Sequence, residues 1–303
     1  MKRLVAIVAV LLVGLCSVAL SQNRSYTVDD LLKVRRVSDP QLSPDGRHVA
    51  FLIGDVNFSD NRVVNQIYVT PAGGGGELKR LTDGKTSSSA PRWSPDGKTI
   101  AFITGGQIWT MDSDDGGDKE QITKISTGAA APVWSPDGKW IAFTSEVHPD
   151  CKDDDCNKKR DEQAENSKVK AHIVTRLLYK HWDEWRDVKR THLFVVSSNG
   201  GTARQLTEGD FDSPPYAASS GVDFAFSPDS REIAFIRNPD KVEAISTNSD
   251  IYVMPVSGGA PKNITANNRG YDASPMYTRD GKAIIYRSQQ TAGFEADRWR
   301  LMA

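Results

Sequence analysis

Trp93-Ser94-Pro95-Asp96-Gly97-Lys98-Thr99-Ile100-Ala101-Phe102 returns as Trp134-Ser135-Pro136-Asp137-Gly138-Lys139-Trp140-Ile141-Ala142-Phe143. Weaker copies run from Leu42 to Phe51 and from Phe226 to Phe235, and a decayed fifth runs from Tyr277 to Tyr286. A turn that recurs with one apolar pattern around it marks a repeat architecture. Pro44, Pro95 and Pro136 stand 51 and then 41 residues apart, Pro228 follows after 92, and Arg279 fills the same slot 51 further on. Periods of roughly 40 to 50 residues with strand-like content are those of β-propeller blades. The long interval is one blade carrying an insertion.

Each unit also closes alike, with Arg80-Leu81-Thr82, Gln121-Ile122-Thr123, Gln205-Leu206-Thr207 and Asn263-Ile264-Thr265. Five openings and four closings give about four and a half blades. Four short antiparallel strands fit each unit. In the second, the chain turns at Ser94-Pro95-Asp96-Gly97, where proline sets φ, Asp bonds the backbone and Gly takes a positive φ. A second strand over 99–104, a turn at Gly105-Gly106, a third strand over 107–111 and a last over 119–123 follow. The expected fold class is all-β: a β-propeller of four-stranded blades, incomplete, with one mixed or helical insertion.

The 303 residues carry a net charge of −1 with the signs interspersed, which excludes electrostatic capture of nucleic acid. Lys2-Arg3, the apolar run from Leu4 to Leu15 and small residues at Ala19 and Ser21 predict a signal peptide over 1–21. The run is shorter than the roughly 20 residues that span a bilayer, so no membrane contact is expected once the leader is removed. Residues 22–303 then form the partial propeller of a periplasmic or extracellular protein. In an oxidising compartment Cys151 and Cys156, in Cys-Lys-Asp-Asp-Asp-Cys, read as a disulfide closing a small loop. A metal site using the intervening aspartates is the rival, and a lone Cys pair is a poor zinc signal.

The insertion, 147–190 within the third blade, has another grammar. Residues 157–170 are dense in Lys, Arg, Glu and Gln, whereas Ala171 to Tyr179 is apolar enough to pack. His181-Trp182-Asp183-Glu184-Trp185-Arg186-Asp187 follows, and loops on rigid scaffolds carry function disproportionately. On one reading Asp183 or Glu184 holds a cationic group such as a peptide N-terminus, and Trp182 and Trp185 wall the pocket. On the plainer reading the tryptophans anchor the insertion and the carboxylates pair with Arg186, Lys189 or Arg190. The acidic run from Asp112 to Asp118 resembles a calcium loop but sits where a hairpin must turn and lacks the downstream glutamate. No metal and no cofactor is expected.

No Gly-x-Ser-x-Gly occurs, and none of His48, His148, His172, His181 and His192 has a recognisable nucleophile partner, so no catalytic residue is expected in this chain. The stretch from Ala296 to Ala303 reads as the start of a strand halfway through a fifth blade, which suggests a longer natural product or a truncated reading frame.

The Ser-Pro-Asp-Gly-Lys-x-Ile-Ala-Phe blades, behind a leader and Tyr26-Thr27-Val28-Asp29-Asp30-Leu31-Leu32, resemble the N-terminal propeller of prolyl-oligopeptidase-family serine peptidases. Thr175 to Trp185 running into His192 to Val196, and Gly293 to Trp299, are similar to the exported dipeptidyl-peptidase and acylaminoacyl-peptidase-like branch. The resemblance implies a propeller that gates short peptides into a C-terminal α/β-hydrolase domain, which is absent from this chain. It also implies a pair of glutamates gripping the substrate's amino terminus, for which Asp183-Glu184 is the counterpart by context. The alternative is a TolB-like periplasmic interaction propeller without enzymatic activity, and a decayed product is a third reading.

Overall fold

The computed structural model describes residues 25–181, 184–185, 188–215 and 222–303; the expected leader lies outside them. A short helix, α1 (Val28–Lys33), opens the described chain, with Thr27 and Asp30 capping each other's backbone N–H groups. Five antiparallel sheets follow. The first contains β1 (Arg36–Leu42), β2 (His48–Asn57), β3 (Arg62–Pro71) and β4 (Lys79–Arg80). The second contains β5 (Ser88–Trp93), β6 (Thr99–Thr104), β7 (Gln107–Asp112) and β8 (Glu120–Gln121). The third begins with β9 (Ala130–Trp134) and β10 (Trp140–Val147); helix α2 (Asp154–Asn166) and the two-stranded β11 (Lys180–His181) and β12 (Glu184–Trp185) intervene. It resumes with β13 (Arg190–Ser197) and β14 (Arg204–Gln205). The fourth contains β15 (Phe224–Phe226), β16 (Glu232–Arg237), β17 (Asp250–Pro255) and β18 (Lys262–Asn263). The fifth has three strands, β19 (Asp272–Tyr277), β20 (Ile284–Ser288) and β21 (Arg300–Met302).

The repeated Ile-Ala-Phe triplet explains how the blades stack. Alternate residues of a strand point to opposite faces. Ile and Phe therefore face the preceding blade while the Ala between them faces the next. Ile100 and Phe102 share a core cluster with Ala50, Ile141 and Phe143 with Ala101, and Ile233 and Phe235 with Ala142. In each seam a large pair packs on the face that presents the smallest side chain. The aromatic ring of the second strand also stacks on the third: Phe143 on Phe194 at 5.5 Å and Phe235 on Tyr252 at 5.8 Å.

The Ser-Pro-Asp-Gly turns are polar knots of one design. The hydroxyl of Ser43, Ser94, Ser135 and Ser227 donates to the Asp two residues on at 2.6 Å, and Thr278 does so at 2.7 Å. The same Asp accepts a backbone N–H from the residue two beyond it. The Ser and Thr hydroxyls thus hold Asp45, Asp96, Asp137, Asp229 and Asp280 below the usual carboxylate range. Neighbouring turns also touch. A Cβ on Gly97 would lie 3.6 Å from Pro44 of the preceding blade, and one on Gly281 3.6 Å from Pro228. Where the fourth turn has Ser230 instead of glycine, at φ 60°, its hydroxyl accepts the Asp137 N–H at 3.0 Å.

The first strands lie toward the axis, β1 touching β5 and β5 touching β9. They are joined by the Trp93 indole donating to the Gln41 carbonyl at 2.9 Å, the Trp134 indole donating to Arg92 O at 3.1 Å, and an Arg92–Asp39 ion pair at 2.8 Å.

The closing threonines make the outermost strands shorter than the sequence suggests. The expected strand over 119–123 is only Glu120–Gln121. Beyond it the Thr123 hydroxyl, not a ladder carbonyl, takes the Ile108 N–H at 2.9 Å. In the fifth blade the strand expected from Ala296 is confined to Arg300–Met302. The preceding residues are wound around Asp297, whose carboxylate accepts the Gln290 and Thr291 N–H groups at 2.9 Å each.

Replacing Ala142, which is fully buried, by leucine should overpack the seam between the third and fourth blades. The expected cost is about 1–3 kcal/mol, read as a lower urea midpoint with an unchanged slope. A variant as stable as the parent would refute the large-on-small account of the stacking.

Candidate functional site

In every blade the first and second strands meet at the Ser-Pro-Asp-Gly turn. The second and third therefore join at the opposite face, and the links between blades return there. That face carries the irregular chain: residues 148–189 of the third blade, 238–249 of the fourth and 289–299 of the fifth. The turn face is uniform and tied turn to turn. The loop face is where side chains are free to serve something other than the fold.

The insertion leaves the third blade under strong local control. Cys151 and Cys156 are joined by a disulfide beside the first turn of α2. Asp153 caps that helix through the Cys156 N–H at 2.8 Å, and the buried Asn157 accepts the His148 N–H at 2.8 Å. Ser126, on the link before the third blade, donates its hydroxyl to Asp154 at 2.7 Å. Asp161 receives Lys189 at 2.8 Å and the His148 Nε2 at 3.1 Å. Burial pushes the Asp161 carboxyl up, but Lys189 and His148 outweigh it and hold it below the usual range. Beyond the helix, Arg176 grips Asp210 with two bonds of 2.6 and 2.8 Å, and the buried Arg190 shares that carboxylate at 3.1 Å.

The run from Ala171 to Tyr179, expected to pack, is exposed throughout, with Ile173 79 % and Leu177 64 % accessible. Its tie to the propeller among the described residues is the Arg176 clamp on Asp210. Trp185 is half-exposed and stacks on His172 at 4.2 Å, with Tyr179 at 6.2 Å and the Lys180 ammonium 5.5 Å over its ring. It thus builds a small aromatic platform within the insertion rather than an anchor into the propeller. Trp182, Asp183 and the side chain of Glu184 lie outside the described residues. Of the cations proposed as their partners, Lys189 and Arg190 are paired with Asp161 and Asp210.

Of the described histidines, His148 and His192 are bonded into the fold and His172 stacks on Trp185. His48 is exposed on β2. His192 is fully buried and occupies the slot that Gln66 and Gln107 hold in the first two blades, where each glutamine bonds the closing threonine. His192 donates Nε2–H to the Gly209 carbonyl at 3.0 Å, so its Nδ1 accepts the Thr207 hydroxyl, also at 3.0 Å. Burial lowers the pKa of this ring, despite nearby Asp212 and Glu208, and Arg237 lowers it further. Among the described residues no histidine side chain bonds a serine or cysteine, and no three His, Cys, Asp or Glu residues are grouped to hold a metal ion. No described helix is long and apolar enough to cross a membrane.

Sequence reasoning missed the Arg176–Asp210–Arg190 clamp, because its partners come from the insertion, a blade link and a strand start. Its only advance signal was arginine bordering apolar runs.

Blades of four antiparallel strands, repeated around an axis with loops gathered on one face, define a β-propeller. Residues 33–223 match the TolB beta propeller domain family, and the chain belongs to it. Across 93 % of its length the chain is 34 % identical to dipeptidyl-peptidase 5 of Porphyromonas endodontalis, and across 99 % it is 31 % identical to dipeptidyl-peptidase 5 of Porphyromonas gingivalis. It spans 41 % and 45 % of those relatives' lengths. Among solved structures, acylaminoacyl peptidase of Pyrococcus horikoshii superposes with a TM-score of 0.67 over 92 % of this chain and 39 % of its own, at 16 % identity, a likeness of fold. The chain thus resembles the N-terminal propeller of the dipeptidyl-peptidase and acylaminoacyl-peptidase branch.

The neutral, buried His192 gives a pH prediction. Its folded-state pKa lies below the ordinary value of about 6.5. Its contribution to stability is therefore present above that value and lost as pH falls through it. His192→Gln, which restores the residue of the first two blades, should lose less stability than the parent between pH 7 and 5. Parallel losses in chemical denaturation would show that His192 does not titrate against the fold.

Proposed function

We propose that this chain is the substrate-gating propeller of an exported serine peptidase that hydrolyses short peptides, of the dipeptidyl- or acylaminoacyl-peptidase kind. The serine, aspartate and histidine would come from an α/β-hydrolase domain, and no hydrolysis is expected from this chain alone. The observation that carries the reading is 34 % identity to a dipeptidyl-peptidase across 93 % of the chain. The gathering of the excursions on one face supports a gating role, because that face offers adaptable contacts beside a rigid ring. Export to the periplasm or beyond rests on the Lys2-Arg3 leader, and the 151–156 disulfide suits an oxidising compartment. The rival reading, an interaction propeller without activity, is not favoured, since the matched relatives are peptidases.

A direct test recovers the native polypeptide that carries this propeller with an antibody and treats it with a fluorophosphonate probe of active serines. Covalent labelling and release of short peptide products are expected; an unlabelled polypeptide without peptidase activity would overturn the proposal. Asp183 and Glu184 are proposed to receive the free amine of the substrate, with Trp182 and Trp185 as walls. Alanine at both acidic positions of the active peptidase should raise KM about tenfold or more for free-amine peptides, the size of one lost charge-assisted contact. Blocked peptides should be little affected. Equal effects on both would assign the two carboxylates to structure.

A further inference from the structure

A cleft of about 450 Å³ lies between the third and fourth blades, beside the Asp210 clamp that ties down the insertion. One side is the chain from Gln205 to Glu208 with Phe211, and the other is Phe235, Arg237 and the hairpin at Gly258-Gly259. The volume falls in the range of small-ligand sites. Its defining feature is a cation without a counterion. The Arg237 guanidinium lies 3.4 Å above the Phe211 ring centroid and 5.7 Å from that of Tyr252. Its Nε is buried without a hydrogen-bond partner, and Arg237 makes no ion pair among the described residues.

None of the nearby acids forms an ion pair with Arg237 among the described residues. Asp250, directly across the β16–β17 ladder, accepts Asn263 at 2.6 Å. Asp212 accepts the Thr191 N–H at 2.7 Å, and Glu208 lines the cleft without an ion pair to Arg237 among the described residues. A guanidinium does not lose its proton in a protein, and a charge held partly out of water without a partner is costly. The aromatic face offsets part of that cost and fixes the planar fork in place. Two-pronged binding to a carboxylate is the interaction such a fork matches best. The glycines on the opposite lip have no side chains to close the approach.

We propose that this cleft is a binding site for a carboxylate of a short peptide segment, held by both terminal nitrogens of Arg237 and flanked by Phe211 and Phe235. The carboxylate can belong to a peptide C-terminus or to a glutamate or aspartate side chain. Either would make this cleft a docking point between two blades, whatever the enzyme context.

The test is calorimetric titration of the whole chain with one Gly/Ala/Leu hexapeptide in three forms: free C-terminal acid, C-terminal amide, and amide with one internal glutamate. The two carboxylate forms should bind at least tenfold more tightly than the neutral amide, and less tightly at 0.3 M than at 0.05 M salt, screening being stronger there. Preference for the acid or for the glutamate form identifies the source. Arg237→Met, which keeps the stem and removes the charge, should lose at least tenfold with its circular-dichroism spectrum unchanged. Equal binding of the neutral amide, no binding of any form at millimolar concentration, or full affinity in a folded Arg237→Met protein would overturn the proposal. Should that variant not fold, the comparison of the three peptides and two salt concentrations on the unaltered protein decides.

Discussion

The seam between blades, where Ile and Phe of one sheet pack on the face presenting Ala of its neighbour, is the interaction on which the architecture rests. Sheets stacked about an axis must approach closely, and a large residue on both sides of a seam would prevent it. The repeated triplet solves this within three residues, because alternation sends its large members one way and its small member the other. The buried pairs at Phe102, Phe143 and Phe235 recur for this reason, as do Ala50, Ala101 and Ala142 opposite them. Phe51 has its face on no described blade and is only half-buried, although it is the same residue in the same repeat. Burial here comes from the neighbour rather than from the sequence of the strand itself.

Polar chemistry then gives the ring two unlike faces. On one, each Ser-Pro-Asp-Gly turn bonds internally and leans on the next through proline and glycine, or through Ser230 and Asp137. That face is committed to structure. On the other, strands two and three can be joined by any length of chain, because the ladder is complete before the loop begins. The eight residue pairs from Trp140–Ser197 to Val147–Arg190 hold the third blade together regardless of what lies between. Lengthening such a connection costs little, about 0.6 kcal/mol per doubling in loop-closure entropy. The family can therefore vary this face while keeping the blades.

These differences decide what could be read from the sequence. Blade number, strand order and the Ser-Pro-Asp-Gly turns were legible, because each depends on residue type at fixed spacing. The closing threonines were visible as a motif, but their partners were not. Gln66, Gln107 and His192 fill one slot with two kinds of side chain that accept from the closing Thr, whereas Asp250, at the same place in the fourth blade, bonds Asn263 instead. The insertion was legible only as a change of grammar. Its helix has almost no apolar face to betray a period, and it is fixed by the Asp153 cap, by Asn157 on the His148 N–H and by Asp161 on Lys189. The apolar run after it misled for the opposite reason: hydrophobic composition does not imply burial when no surface waits to receive it.

The same contrast bears on where function can reside. A side chain in a seam is fixed twice, by its own strand and by the neighbouring blade, and altering it costs stability before it changes anything else. Among the described residues Trp185 meets the rings of His172 and Tyr179 and the Lys180 ammonium, all of the same excursion. That excursion is tied back mainly by charge, through Arg176 on Asp210 and Lys189 on Asp161. The exposed Arg176–Asp210 pair contributes at most about 1 kcal/mol and weakens with salt, whereas Lys189–Asp161 is partly buried. The aromatic platform is thus positioned by the propeller without being part of its core. It can change its contacts, or its sequence, at little cost to the ring that carries it. In a propeller whose repeats are spent on packing, that independence leaves the excursion of a single blade free to present a surface of its own.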